Sequence, residues 1–177
     1  MFAEMIPLAA RIAEALKMRG EKNAVADGAS GGLISAALLT VPGALAFYLG
    51  GGVVYSLRGR DILLGQGRDA FAGMRSASED YALAQARAIR GNFGGDWGIA
   101  ESGSAGSSTH PLGVASGRSC CAVVGPGVEA VRTTETGSDM RVENMFAFTR
   151  AALVLLDDTL AGQGPEGSQT ASSRPPP

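Results

Sequence analysis

The 177-residue sequence predicts an α/β domain, because segments with helical spacing of apolar residues alternate with short apolar runs typical of strands. Hydrophobic residues make up 45% of the chain, which is enough to build one globular core at this length. Residues 162–177 contain no aliphatic side chain larger than Ala, so they have nothing to bury. We therefore expect one domain over residues 1–161 and a disordered tail over 162–177.

The amino-terminal part is predicted to alternate helix and strand twice. Apolar residues from Phe2 to Leu16 recur at helical spacing, and Gly20 suits the end of that helix. Residues 23–26 indicate a strand that enters a glycine-rich turn. Ser30 then occupies a position typical of a helix N-cap. The helix that it would begin covers residues 31–40, and a glycine-interrupted strand follows over 47–55.

The carboxy-terminal part is predicted to contain two further helices around a group of strands. Ser76 and Glu79 form a capping-box pattern that opens a helix to about Arg90. Ser138 or Asp139 can cap a last long helix. A loop of small residues is expected over 102–111. The expected strands are 97–102, 112–118 and 128–134.

Composition argues against several function classes. The formal charge of −2 lacks the positive excess that a nucleic-acid surface needs. Two adjacent cysteines, Cys120 and Cys121, and a single histidine predict neither a disulfide framework nor a metal site. We expect no cofactor. The uncharged run between Asp27 and Arg58 is broken by Pro and Gly, which favours buried elements over a membrane span. The first residues lack signal-peptide character, so we expect a cytoplasmic location.

Four sequence blocks, in order, carry a resemblance to a known family. They are Ala26–Gly32, Val41–Gly43 with 47–55, Ile62–Gly65, and Ser102–Gly106 with Pro111–Gly113. Together they resemble the CinA C-terminal domain family, the nicotinamide-nucleotide amidases, over residues 5–161. The resemblance implies a three-layer α/β/α domain of the CinA C-terminal type and a homo-oligomer.

The catalytic pair of that family is replaced in this sequence. The family reads A-E-S-C-T-G-G around its nucleophilic Ser, and this chain has Gly28 at the Ser position. The family's activating Lys closes a Y-S-x-x-x-K segment, and here Arg60 stands at that position. A guanidinium keeps its proton near neutral pH and cannot act as a base. Both lysines of the chain, Lys17 and Lys22, precede the glycine-rich turn. The resemblance therefore implies that amidase activity is absent or very weak.

Two side chains are candidate substitutes for the missing pair. Ser30 lies two residues after Gly28, although a helix N-cap is the favoured interpretation of its hydroxyl. His110 is the one side chain with a near-neutral ordinary pKa, although a solvent-exposed loop position is favoured. Asp27 is expected to hold the turn rather than to catalyse.

Ligand binding does not depend on the missing pair. Gly31 and Gly32 would present backbone N–H groups at a helix start, which suits phosphate, and the fork of Arg60 would add a fixed positive charge. The leading hypothesis is a catalytically defective relative that retains a pocket for a nicotinamide nucleotide or another phosphate-bearing small molecule. The alternatives are an active amidohydrolase with substitute residues, and a structural or regulatory subunit of an active paralogue. The predicted ligand-binding residues are Ser30, Gly31, Gly32, Tyr55, Ser56, Arg60, Gly103, Ala105 and Gly106.

Overall fold

A computed structural model describes residues 1–108 and 113–162 of the chain. Helices and strands alternate along the chain up to α3, after which a second helix, α4, precedes β3. The elements are α1 (Ile6–Arg19), β1 (Asn23–Asp27), α2 (Leu33–Leu39), β2 (Tyr48–Val53), α3 (Leu57–Leu64), α4 (Glu79–Phe93), β3 (Trp97–Ser104), β4 (Arg118–Gly125), β5 (Val128–Glu135) and α5 (Arg141–Leu160). Short 3-10 helices cover Phe2–Met5, Ala44–Ala46 and Arg68–Phe71.

The five strands form one mixed sheet in the order β2-β1-β3-β4-β5. β1 is parallel to both β2 and β3, and its connections to them contain helices, as parallel pairs require. β3, β4 and β5 are antiparallel to one another. The β4–β5 hairpin turns through Pro126 and Gly127, and Gly127 has a φ of +72°, which favours glycine.

Two apolar cores lie on opposite faces of the sheet, so the domain has the three α/β/α layers that the resemblance implies. Helices α1, α2 and α5 cover one face, and α4 with part of α3 covers the other. Successive strand side chains point to opposite faces, which supplies both cores from the same strands. Val25, Ile99 and Val123 belong to the first core, and Ala24, Ala100 and Ala122 to the second.

Several predicted elements are confirmed. α1 ends at Gly20, whose φ of +65° is the left-handed conformation expected of a helix C-cap glycine. β1, β3, β5 and α5 occupy their predicted places within a few residues. Cys120 and Cys121 lie buried on β4, as expected of packing cysteines. None of the helices in the described ranges has the length and apolarity that a bilayer crossing requires.

Other predicted boundaries are wrong. Helix α4 begins after Ser78 rather than Ser76, and the Ser78 hydroxyl donates to a carbonyl and a neighbouring carboxylate instead of completing a capping box. A strand was expected over residues 112–118. The strand found in this region is β4, which begins at Arg118 and includes both cysteines. Helix α3 was absent from the predicted elements, although Ser56 caps it by accepting a hydrogen bond from the Gly59 amide at 3.0 Å. The predicted tail from residue 163 onward lies outside the described residues.

Candidate functional site

The sheet order places a crevice between the carboxyl ends of β1 and β3. The chain leaves β1 for β2 on one side and later returns to β3 on the other side, which is a topological switch point. A cavity of about 420 Å³ opens there. The residues that line it are Gly28, Ala29, Val54, Tyr55, Ser56, Leu57, Ser76, Tyr81, Ser102, Gly103, Ser104, Ala105, Gly106, Ser108 and Arg141.

Gly28 lies in the wall of this cavity, immediately after β1. A Cβ atom at position 28 would lie 2.2 Å from the carbonyl oxygen of Glu101 and 3.2 Å from the Cα atom of Ser102. Both contacts are with backbone atoms, which no side-chain rotation can relieve. In this chain, position 28 therefore has no side chain and, without a backbone shift, no room for one.

Asp27 holds the turn that follows β1, as predicted. Its fully buried carboxylate accepts hydrogen bonds from the Ser30 hydroxyl at 2.9 Å, from the Ile34 amide at 3.1 Å and from the Ser35 hydroxyl at 2.7 Å. The Ser35 amide also donates to it at 3.3 Å. The carboxylate thus occupies the amide donors of the first turn of α2, where an external anion was expected.

The prediction that Ser30 caps α2 is wrong. The residue at the N-cap position is Gly32, and the Ser30 hydroxyl donates to Asp27 instead. The physical reason is that a fully buried carboxylate requires donors, and the nearest ones are this hydroxyl and the first amides of α2. Ser30, Gly31 and Gly32 are not among the residues that line the cavity.

A second buried carboxyl group lies behind the turn. Glu101 on β3 is fully buried; its Oε2 atom accepts from the Ser30 amide at 2.7 Å, and its Oε1 atom accepts from the Ser119 hydroxyl. Burial raises the pKa of Glu101, partly opposed by these hydrogen bonds, and the nearby charge of Asp27 raises it further. Sequence reasoning missed Glu101. The available signal was an acidic residue inside an otherwise small and apolar strand.

Arg60 lies on α3 but does not line the cavity. Its buried guanidinium donates to one Asp61 carboxylate oxygen at 3.0 and 2.7 Å and stacks 4.3 Å from the centre of the Phe71 ring. Burial tends to lower the pKa of Arg60, but contacts with Asp61 and Tyr81 outweigh that effect and raise it overall. This placement gives Arg60 a packing role and leaves the cationic side of the cavity to another residue.

The cationic residue that lines the cavity is Arg141, the first residue of α5, which the sequence analysis missed. Its guanidinium atoms lie 2.6 to 2.9 Å from the place that a Cβ atom of Gly106 would occupy, so the guanidinium rests against a bare glycine. Among the described residues, no carboxylate forms an ion pair with it. A cation in the first turn of a helix is unfavourable for the helix dipole, and that was the available sequence signal. Asn144 ties this end of α5 to the loop by donating to the Ala105 carbonyl at 2.7 Å.

Five of the predicted binding residues do come together at the cavity. Tyr55, Ser56, Gly103, Ala105 and Gly106 all line it. Two further hydroxyl-bearing residues, Ser102 and Ser104, join them from β3. His110 lies outside the described residues. Within the described ranges, no group of three or more His, Cys, Asp or Glu side chains could hold a metal ion.

The fold and the site together define a three-layer α/β/α domain with a cavity at the carboxyl ends of the parallel strands β1 and β3. The model of one family, the CinA C-terminal domain, matches residues 5–160. The chain belongs to that family.

Comparison with individual proteins agrees with the family. The chain is 33% identical over 155 residues to a CinA-like protein of Myxococcus xanthus, an alignment that covers 86% of this chain and 37% of the relative. A CinA-like protein of Prochlorococcus marinus is 38% identical over 111 residues, which cover 60% of this chain and 26% of that protein. The chain therefore spans well under half the length of these curated relatives.

Solved structures of the superfamily match the whole domain. A CinA superfamily protein from Klebsiella pneumoniae has a TM-score of 0.81 and 26% identity, covering 89% of this chain and 98% of that one. The competence/damage inducible protein CihA from Agrobacterium tumefaciens has a TM-score of 0.80 and 25% identity, covering 89% and 95%.

Proposed function

We propose that this CinA-family chain binds a small phosphate-bearing molecule in the cavity, of which a nicotinamide nucleotide is the first candidate, and does not hydrolyse its amide. The observation that carries the proposal is the contact between Gly28 and the Glu101 carbonyl oxygen, which leaves no space for a nucleophile at the family's Ser position. Amide hydrolysis by this route needs an activated nucleophile with a base in hydrogen-bond reach.

The remaining groups at the site do not supply that pair. The Ser30 hydroxyl is buried and donates to Asp27, and it does not line the cavity. Ser102 and Ser104 do line it, but no described Lys or His lies beside them. Arg60 stays protonated against Asp61. These placements favour a binding role over a hydrolytic one.

The cavity supplies what a phosphate ester requires. Arg141 contributes a guanidinium whose fork suits a phosphate group, next to the amino-terminal end of the 20-residue helix α5. Serine hydroxyls line the middle of the cavity, and Val54, Tyr55 and Leu57 give one side apolar character. A ligand that fits these features would carry an anionic group, hydroxyls and a flat apolar group. A phosphorylated nucleoside has all three.

Titration calorimetry of the full chain tests the proposed binding of a phosphate-bearing molecule. We expect nicotinamide mononucleotide to bind, and the nucleoside without phosphate to bind at least tenfold more weakly, since one charge-assisted bidentate contact is worth about 1.5–3 kcal/mol. Arg141→Ala should weaken nucleotide binding to a similar extent. Arg150→Ala removes an exposed cation from the same helix and should leave it unchanged. Equal binding by the Arg141 and Arg150 variants would remove the basis for the proposed phosphate position.

Ammonia release from the same nucleotide tests the proposed absence of amide hydrolysis. We expect no release above background. Turnover at the rate of a relative with the intact Ser–Lys pair would show the chain to be an active amidohydrolase, and Ser30→Ala and His110→Ala would then identify the substitute group. If neither binding nor turnover occurs, a structural or regulatory subunit becomes the better description.

A further inference from the structure

The side chains that line the cavity favour a ligand rich in hydrogen-bond acceptors. Among the described residues of the lining, none carries a carboxylate or a carboxamide, and Arg141 is the one charged side chain. The other polar side chains of the lining all end in hydroxyls. A ligand therefore meets a fixed cation and hydroxyl groups, and it meets no side chain that is restricted to accepting hydrogen bonds.

Two of the serine hydroxyls in the lining already accept hydrogen bonds from the backbone. The Ser102 oxygen accepts from the Ala77 amide at 3.2 Å, and the Ser56 oxygen accepts from the Gly59 amide at 3.0 Å. Because a backbone amide only donates, the proton of each hydroxyl is left for another acceptor. Within the described ranges, neither serine hydroxyl donates to another residue. Ser102 is 8% exposed, so its hydroxyl is a donor available to a molecule inside the cavity.

Tyr81 presents a third hydroxyl of the same kind. Its ring lies 5.5 Å from that of Phe71, on which the Arg60 guanidinium also stacks. Burial acts to lower the pKa of Arg60, and hydrogen bonds to Asp61 and to the Tyr81 hydroxyl outweigh that effect. A guanidinium has donors only, so the Tyr81 oxygen accepts in this contact and its proton stays available. Tyr81 is 6% exposed and lines the cavity, so it offers a second buried donor beside Ser102.

Two backbone carbonyls of the lining near Arg141 are also engaged. The Ala105 carbonyl accepts from the Asn144 side chain at 2.7 Å, and the Gly106 carbonyl accepts from the Ser116 hydroxyl at 2.8 Å. These bonds reduce the number of backbone acceptors that the cavity offers to a ligand. The balance of the site therefore lies with donors.

The cation and the buried hydroxyl of Tyr81 reach the cavity from opposite sides of the sheet. Tyr81 belongs to α4 and Arg141 to α5, and these two helices cover opposite faces. A ligand that satisfies both sides needs an anionic group for Arg141 and a separate acceptor group for the hydroxyls.

We propose that the ligand carries a carboxylate on its flat group, bound by Ser102 and Tyr81, in addition to the phosphate bound by Arg141. This inference rests on the proposed function and narrows its ligand to a phosphorylated aromatic acid. A carboxylate has acceptors only, so both hydroxyls can donate to it in charge-assisted hydrogen bonds.

A carboxamide fits the same position less well. Its oxygen can accept from one or both hydroxyls, but its NH2 group needs an acceptor, and the described lining offers no carboxylate or carboxamide side chain for it. A donor that is buried without a partner weakens binding. The acid form of a pyridine nucleotide therefore binds more tightly than the amide form.

Titration calorimetry of the full chain near neutral pH, with nicotinic acid mononucleotide and nicotinamide mononucleotide, tests the inference. The two compounds differ only in the carboxylate and the carboxamide. We expect the acid to bind about tenfold more tightly or better, as a charge-assisted hydrogen bond is roughly twice as strong as a neutral one.

Variants locate the group that provides this preference. Tyr81→Phe and Ser102→Ala should each bring the ratio of the two affinities toward one, because each removes a donor that bonds more strongly to the carboxylate. A merely structural defect would lower both affinities together and leave their ratio unchanged. Tyr48→Phe is the matched control, since Tyr48 is a buried tyrosine on β2 that is not part of the cavity lining, and the ratio should stay at the parent value.

Two results would overturn the inference and leave the proposed function in place. One is measurable binding of both nucleotides in which the amide binds as tightly as the acid, or more tightly. The other is a preference for the acid that survives both Tyr81→Phe and Ser102→Ala, which would place the carboxylate elsewhere. Failure of both nucleotides to bind the parent chain is a different pattern, and it would overturn the proposed function together with this inference.

Discussion

The backbone at Gly28 packs against the carbonyl oxygen of Glu101 so closely that a Cβ atom at position 28 would approach that oxygen to 2.2 Å. The contact joins the residue after β1 to the middle of β3 in the wall of the cavity. Position 28 therefore lacks more than a hydroxyl, because the surrounding backbone leaves no room for a Cβ atom.

Gly28→Ser should destabilise the domain rather than restore a nucleophile. Forcing a side chain against a backbone carbonyl costs about 1–3 kcal/mol in a packed region, so the free energy of unfolding in urea should fall by that amount. The control is Gly91→Ala, at a helical glycine with no atom within 4 Å of a new Cβ, which should raise stability by about 0.5–1 kcal/mol. A Gly28→Ser variant as stable as the parent, with measurable ammonia release, would contradict the packing argument.

Arg60→Lys should weaken the domain without creating a catalytic base. The planar guanidinium both stacks on Phe71 and donates twice to Asp61, and an ammonium cannot reproduce that geometry. We expect a loss of about 1 kcal/mol in the free energy of unfolding and no ammonia release. Arg58→Lys, at an exposed position of the same helix, should change neither quantity. A stable Arg60→Lys variant with amidase activity would show that the position still serves catalysis.

Glu101 should make stability depend on pH in the sense opposite to that of an ordinary paired carboxylate. Burial raises its folded-state pKa above the ordinary value of 4.5, so folding favours the protonated form. Its stabilising contribution is complete below pH 4.5 and is lost as the pH rises through the folded-state pKa. Glu101→Gln retains an acceptor for the Ser30 amide, so above pH 4.5 its stability should decline less than that of the parent.

Urea unfolding from about pH 3 to about pH 8 measures this difference and also covers the range in which the control responds. Glu129→Gln is a control of opposite sign, because a hydrogen bond from Arg87 lowers the pKa of Glu129. Its contribution is present above pH 4.5 and is lost as the pH falls through the lowered value. Parallel pH profiles for the parent and Glu101→Gln would mean that Glu101 is ionised in the folded protein at no cost.

Asn23→Leu should stabilise the domain. Asn23 is fully buried on β1, and within the described part of the chain neither its Nδ2 nor its Oδ1 atom has a hydrogen-bond partner. An unsatisfied buried amide costs about 1–3 kcal/mol, which an apolar side chain of similar shape would remove. Thermal unfolding should therefore shift upward. Asn92→Leu is the control, since it removes a 2.6 Å hydrogen bond to the Leu64 carbonyl and should lower stability. A lower melting temperature for Asn23→Leu would indicate that the amide is satisfied.

Much of the fold could be predicted from sequence because it rests on local patterns. The helical spacing before Gly20 and the glycine that ends that helix act within a few residues. Helix α3 escaped prediction because it has only eight residues and exposes several of its apolar side chains, so it lacks a clear amphipathic pattern. The start of α4 was misplaced because the spacing of Ser76 and Glu79 fits a capping box, whereas the helix begins after Ser78, which makes no side-chain cap hydrogen bond.

The sequence by itself determined that positions 28 and 60 supply neither a nucleophile nor a base, because the side-chain chemistry of Gly28 and Arg60 is independent of conformation. It also predicted most of the elements, since the spacing of apolar residues records which face each element buries. Only the tertiary structure decided which groups meet at the site. It placed the Asp27 carboxylate on the amides of α2, turned Arg60 toward Phe71, and brought Arg141 against Gly106. Such pairings depend on how distant segments pack across a sheet, and no local propensity specifies them.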